Sequence, residues 1–131
     1  MAEEITAFPR ARIGAAGEYL DAYAQAVRAG FDSVDRKALN RAAEVLAEAY
    51  RRRSTVWVCG NGGSAAIADH FACDHFKGVA TNTPLRPRVL SLASNTALLT
   101  AIGNDFSFDR VFDYQLANAA QAGDVLVAVS S

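Results

Sequence analysis

The stretch "TVWVCGNGGSAAIADHFACDHFK", Thr55 to Lys77, constrains the fold more than any other part of the chain. A run of β-formers, Thr55 to Cys59, stops at Gly60-Asn61-Gly62-Gly63, and an alanine-rich segment follows. A short apolar run bounded by glycines reads as a strand buried on both faces, as strands of parallel sheets are. Ser64 to Lys77 reads as a helix. A strand, a glycine turn and a helix together open a β–α crossover. The turn then lies at the carboxyl end of a strand, where ligands bind in open α/β sheets.

Two readings of this loop stay open on the residues alone. The first N–H groups of a helix lack internal partners, and the helix dipole is positive there, so the turn can hold an anion. It can equally be a tight turn with no ligand. It is neither G-x-G-x-x-G with a ribose-binding acid nor a loop with G-K-[ST]. On the helix, His70 and Asp74 stand at i and i+4, one turn apart on one face. That spacing suits two ligands of one divalent metal or an acid/base pair. It also suits a capped or buried histidine beside a solvated carboxylate. His75 lies off that face and reads as structural. Lys77 lies near it, facing phosphate or water.

The remaining elements extend the α/β pattern. Ala11 to Phe31 predicts a helix ended by Gly30, with Asp32 or Ser33 capping a second helix from Val34 to Arg53. Arg51-Arg52-Arg53 reads as a solvated end facing the helix dipole rather than a phosphate site. Gly78 to Arg88 reads as a loop and Val89 to Ala93 as a strand. Ser94-Asn95-Thr96 offers a helix cap, with helix through about Ile102. "GNDFSF" reads as a break, Phe108 to Ala120 as a helix, "QAGD" as a turn and Val125 to Val129 as a third strand. Helices followed by β–loop–α units predict a parallel sheet. The chain stops at Ser130-Ser131, directly after a strand, so the 131 residues are expected to be the front of a longer domain.

Composition bounds the function. The chain is 51% hydrophobic and 21% charged, with a net charge of −1. That leaves no overall basic field to recruit nucleic acid. The apolar runs are too short to span a bilayer, and the acidic N-terminus lacks a signal core. The two cysteines, Cys59 and Cys73, are expected to be buried free thiols, which places the protein in the cytoplasm.

"VCGNGGSAAIADHFACDHFKG", "LTAIGNDFSFDRVF" and "GDVLVAVSS" together resemble the sugar isomerase (SIS) domain family, most nearly its phosphoheptose isomerases. The likeness covers most of the chain. It implies a three-layer αβα fold with a flavodoxin-like parallel sheet, preceded by N-terminal helices (about 11–53, with the α/β part about 54–131). It implies one SIS domain, incomplete at its C-terminus. It implies a homotetramer with active sites at subunit interfaces, and conversion of sedoheptulose 7-phosphate to D-glycero-D-manno-heptose 7-phosphate through an enediol. By the same likeness Asn61, Gly62, Gly63 and Ser64 form the substrate loop, and His70 is a metal ligand, the metal being zinc. Asp74 stands where those enzymes carry a glutamate that binds metal and acts as base. Asn104 and Asp105 contact substrate, and the hydroxyls of Ser130 and Ser131 begin the phosphate loop. Further ligands, a glutamine and a histidine, are expected beyond residue 131.

Two departures stand out. Asp74 is one methylene shorter than glutamate, and the helix ends "CDHFKG" rather than "AEELTGR". Other functions compete: a non-catalytic SIS protein that binds a replication initiator, and a sugar-phosphate sensor or an isomerase of another phosphosugar. In the initiator-associating group the loop tends to read "GNGTS" and the metal glutamate is lost. Here the loop reads "GNGGS" and a carboxylate stands at position 74.

Overall fold

The computed structural model describes residues 8, 9 and 11–130. They fall into two compact units, Met1–Arg41 and Ala42–Ser131.

The first unit holds α1 (Ala16–Ser33) and the start of α2 (Arg36–Arg52). Helix α1 runs through Gly30, the expected end, to Ser33. A single mid-helix glycine costs only ~1 kcal/mol against alanine, so it need not stop a helix. Asp35, not Asp32 or Ser33, caps α2. Its Oδ1 accepts from the backbone N–H groups of Lys37 at 2.8 Å and Ala38 at 3.3 Å. No residue of α1 is buried, and Leu20 and Phe31 are 64% and 67% exposed.

The second unit contains a parallel sheet of β1 (Thr55–Cys59), β2 (Arg88–Ser91) and β3 (Val125–Ala128), in the order β2-β1-β3. β1 is central, as its near-continuous burial requires. Val56 pairs with Val89 on one side and with Val125 on the other. Val56, Val58, Val89 and Ala68 of α3 (Gly63–Cys73) form a core with Ala49 and Tyr50 from the end of α2. The link from β2 to β3 carries α5 (Thr96–Asp105), a 3-10 turn (Phe108–Arg110) and α6 (Asp113–Ala119). Ile102 and Val111 are buried there.

Several boundaries differ from expectation: α1 starts at Ala16 rather than Ala11, α2 at Arg36 rather than Val34, and β2 is Arg88–Ser91 rather than Val89–Ala93. Helix continues beyond Lys77 as a π-helical turn, Asp74–Val79, and a short α4, Ala80–Asn82, where a loop had been expected. The Gly78 and threonine signals that suggested a loop are overridden. Asn104 and Asp105 form the last residues of α5 rather than a break. The helix expected at Phe108 begins as a 3-10 turn and becomes α-helical only at Asp113. No helix among the described residues is long and apolar enough to cross a membrane.

One carboxylate ties the strand starts together. Asp124 accepts from Thr55 N–H at 2.8 Å, Trp57 Nε1–H at 3.0 Å and Gln121 N–H at 3.0 Å. These donors hold its carboxyl below the usual aspartate range, with the Gln121 amide the largest cause and the Trp57 indole next. A cavity of about 300 Å³ beside it is lined by Arg53, Arg88 and Trp57, at the amino ends of the strands.

Candidate active site at the carboxyl edge of the sheet

The opposite, carboxyl edge carries the Gly60 loop and the chain end after β3, while His70 and Asp74 lie further along α3 and the turn after it and Asn104 and Asp105 at the far end of α5. Beyond the paired strands, Leu92 N–H donates to Val58 O and Val129 N–H to Cys59 O, each at 2.8 Å. The chain after β3 therefore leaves the sheet beside the Gly60 loop. Ser130 is exposed at that point, and Ser131 lies outside the described residues. Asn61, Gly62 and Gly63 are exposed and Ser64 is half-buried.

The loop's shape follows from its glycines. Gly62 has φ +56°, in the region that L side chains avoid. Gly60 is buried, and a Cβ there would stand 2.6 Å from the carbonyl oxygen of Ser64. Only glycine lets the strand end and the first turn of α3 approach so closely. Ser64 N–H donates to Asn61 O at 3.0 Å and Ala65 N–H to Gly62 O at 3.1 Å, which closes the turn.

The end of α3 and the turn that follows it carry the next pair. His70 Nδ1 stands 3.7 Å from Asp74 Oδ1, and both side chains are exposed. The i, i+4 spacing thus places the two groups together as expected. Cys73 joins them: one ligand atom each from His70, Cys73 and Asp74 all lie within 4.8 Å of one another. Cys73 is exposed, against the expectation of a buried thiol, whereas Cys59 is buried as expected. The reason is that α3 is apolar nearly all round, so its pattern could not say which side faces the core. Ala68 is its buried residue, with Phe71 and Ala72 packed against the core, so Cys73 falls outside. His75 is held away from the cluster. Its Nδ1 is 2.8 Å from Phe71 O, and its ring stacks on Phe71 with centroids 4.0 Å apart.

The π-helical turn begins at Asp74, whose N–H reaches both His70 O and Phe71 O. π-turns inside α-helices recur at functional sites. Nothing in the spacing of side chains announced it.

Asn104 and Asp105 are brought together as a pair. Asn104 Nδ2–H donates to Asp105 Oδ1 at 2.9 Å, and both are exposed at the end of α5. The start of α5 is capped as read from sequence, Asn95 Oδ1 accepting from Leu98 N–H at 3.0 Å. Gln115 was missed. Its Nε2–H donates to Leu92 O at 3.1 Å and to Val111 O at 2.6 Å, fastening α6 to the end of β2.

The donors suit a divalent metal. An imidazole nitrogen, a carboxylate oxygen and a thiol sulfur are the ligand types zinc takes. Zinc bonds of ~2.0–2.3 Å set neighbouring ligand atoms ~3.3–3.8 Å apart in a tetrahedron. The His70–Asp74 pair at 3.7 Å already falls in that range.

The family described as SIS domain matches residues 18–131. This chain belongs to the SIS family. SIS relatives include the phosphoheptose isomerase of Aliarcobacter butzleri, 40% identical over 93 residues, which cover 71% of this chain and 49% of that protein. That of Campylobacter concisus is 42% identical over 93 residues, covering 71% and 49%. The chain thus spans about half the length of these SIS relatives. Among solved structures, phosphoheptose isomerase GmhA from Neisseria gonorrhoeae superposes with a TM-score of 0.74 at 34% identity, covering 88% of this chain and 60% of that one. A phosphoheptose isomerase from Francisella tularensis gives 0.75 at 26%, covering 90% and 63%. The αβα fold with a parallel sheet, expected from sequence, is thereby shown.

Proposed function

We propose that this chain belongs to a phosphosugar aldose–ketose isomerase that converts sedoheptulose 7-phosphate to D-glycero-D-manno-heptose 7-phosphate. The observation that carries this reading is the His70–Asp74 pair at 3.7 Å, on the helical stretch that follows the Gly60 loop, in a SIS chain whose relatives include phosphoheptose isomerases. The chemistry needs a proton moved between adjacent carbons by a base, with stabilisation of the oxyanion that develops.

The roles divide as follows. Asp74 carboxylate takes the proton from the hydroxyl-bearing carbon beside the carbonyl. A solvent-exchangeable proton is delivered to the former carbonyl carbon and the hydroxyl proton passes between the two oxygens, the histidine expected beyond residue 131 sharing this acid/base work. His70 and Asp74 would hold a divalent metal, zinc by the donor set, which when bound polarises the substrate oxygens as a Lewis acid. Asn61 and Ser64 hold sugar hydroxyls. Asn104 and Asp105, already hydrogen-bonded to each other, fix the open-chain sugar. Ser130 and Ser131 receive the phosphate. Asp74 is shorter than a glutamate, and a misplacement of 1 Å can cost ~10²-fold in rate, so the variant Asp74→Glu reports how well the short arm reaches.

In this reading residues 1–131 belong to a single SIS domain, and a glutamine and a histidine expected outside them serve the metal and the acid/base pair. The protein acts in the cytoplasm as a homotetramer. The exposed apolar residues of α1, Leu20 and Phe31 among them, support the tetramer as a surface for subunit packing. Incubation of the natural protein with sedoheptulose 7-phosphate and zinc, followed by NMR for the aldose, tests the function. Absence of product would overturn it, and capture of a replication initiator instead would favour the non-catalytic reading.

A further inference from the structure

We propose that Cys73 is a third metal ligand of this site, so that His70 and Cys73 of α3 and Asp74 just after it make a mixed nitrogen–sulfur–oxygen face that selects a thiophilic metal. The inference rests on the reading of His70 and Asp74 as metal ligands and adds a residue to it.

Three observations carry it. First, the sulfur is in reach. Its distance to the other two donor atoms is no more than 4.8 Å. Contraction by ~1 Å brings it to the separation that zinc ligands adopt. All three side chains are exposed, so rotamer adjustment can supply that contraction without moving the core. Second, the helix geometry puts Cys73 where a ligand is needed. Cys73 stands three residues after His70 and Asp74 four, and both positions share a face with it. Third, Cys73 is not serving the core. It is exposed while Phe71 and Ala72 pack inward, so burial does not account for a thiol here.

The chemical consequence is selectivity. Carboxylate and imidazole alone admit magnesium or manganese as well as zinc, whereas a thiolate favours zinc, cobalt and cadmium. On binding, the thiol loses its proton to water and the sulfur lone pair bonds to the metal.

Cobalt(II) is the probe. Titrated into the metal-free protein, it should give a near-ultraviolet thiolate-to-cobalt charge-transfer band. Cys73→Ser should abolish that band and weaken cobalt binding by at least ~10-fold, the lower end of the effect of losing even an outer partner. Cys59→Ala, at the buried thiol, should keep the band. His70→Ala should weaken cobalt binding as well. A band that persists in Cys73→Ser overturns the proposal. So does cobalt binding that needs His70 but shows no charge-transfer band, and that result leaves the His70–Asp74 site standing. No cobalt binding at all overturns both.

Discussion

Gly60→Ala should damage both the fold and the site, by an amount that the structure sets. The new Cβ would meet three Ser64 atoms: the carbonyl oxygen at 2.6 Å, and the carbonyl carbon and Cβ at 2.7 Å. Ordinary contact begins at 3.4 Å, so the strand end and the helix start must part by 3.4 − 2.6 = 0.8 Å. Two of the three atoms are backbone, and no flexible side chain can give way instead. Overpacking of this kind costs ~1–3 kcal/mol. At ~2 kcal/mol, Tm should fall by roughly 6–10 °C for a chain of this size. The same shift displaces the Gly62–Ser64 loop and should cut turnover by ~10²-fold. Gly63→Ala is the internal control. A Cβ there meets nothing within 4 Å and the residue is helical, so stability should hold or rise by up to ~1 kcal/mol. Urea unfolding followed by the fluorescence of Trp57, in β1 itself, measures both. A Gly60→Ala protein within ~0.5 kcal/mol of the parent would refute the packing argument.

Asp124→Asn should cost ~2 kcal/mol, because the carboxylate accepts three N–H groups that link the starts of β1 and β3. The carboxyl is held below its ordinary value of 3.8 in the folded protein, so its stabilisation is present above about that pH and is lost as pH falls through the lower folded value. The gap between parent and Asp124→Asn, read by urea unfolding, should therefore narrow below pH ~4; a constant gap would contradict the assignment. Tyr50→Phe should stabilise by ~1 kcal/mol, since the Tyr50 hydroxyl is buried without a hydrogen-bond partner among the described residues and burial pushes its pKa up to about 12. A fall in Tm for that variant would show a partner for the hydroxyl.

Local sequence carried far in the sheet and its turns. Thr55–Cys59 is bounded as its apolar run predicted, because a strand buried on both sides leaves no ambiguity of face. The Asn95 cap and the Gln121–Asp124 turn were likewise legible, since each is settled by residues within four positions. The pairing of His70 with Asp74 followed from helical spacing alone. What was not legible depended on distant contacts. Cys73 could be assigned outward only once the core position of Ala68 was known. Continuation through Gly78 as a π-turn ran against local glycine and threonine signals. The clasp of Asp124 on Trp57 spans 67 positions, and that of Gln115 on Leu92 spans 23, so no local pattern announces either.

The central claim is that His70 and Asp74 form the working centre of a heptose-phosphate isomerase. Its most direct test compares the protein, loaded with zinc, with its Asp74→Asn variant. Each is incubated with sedoheptulose 7-phosphate in D₂O and followed by proton NMR. The parent should form the aldose with deuterium at the carbon that exchanges its proton, and the variant, still folded by circular dichroism, should lose at least ~10²-fold in rate. Equal turnover by both proteins, or none by the parent, would contradict it.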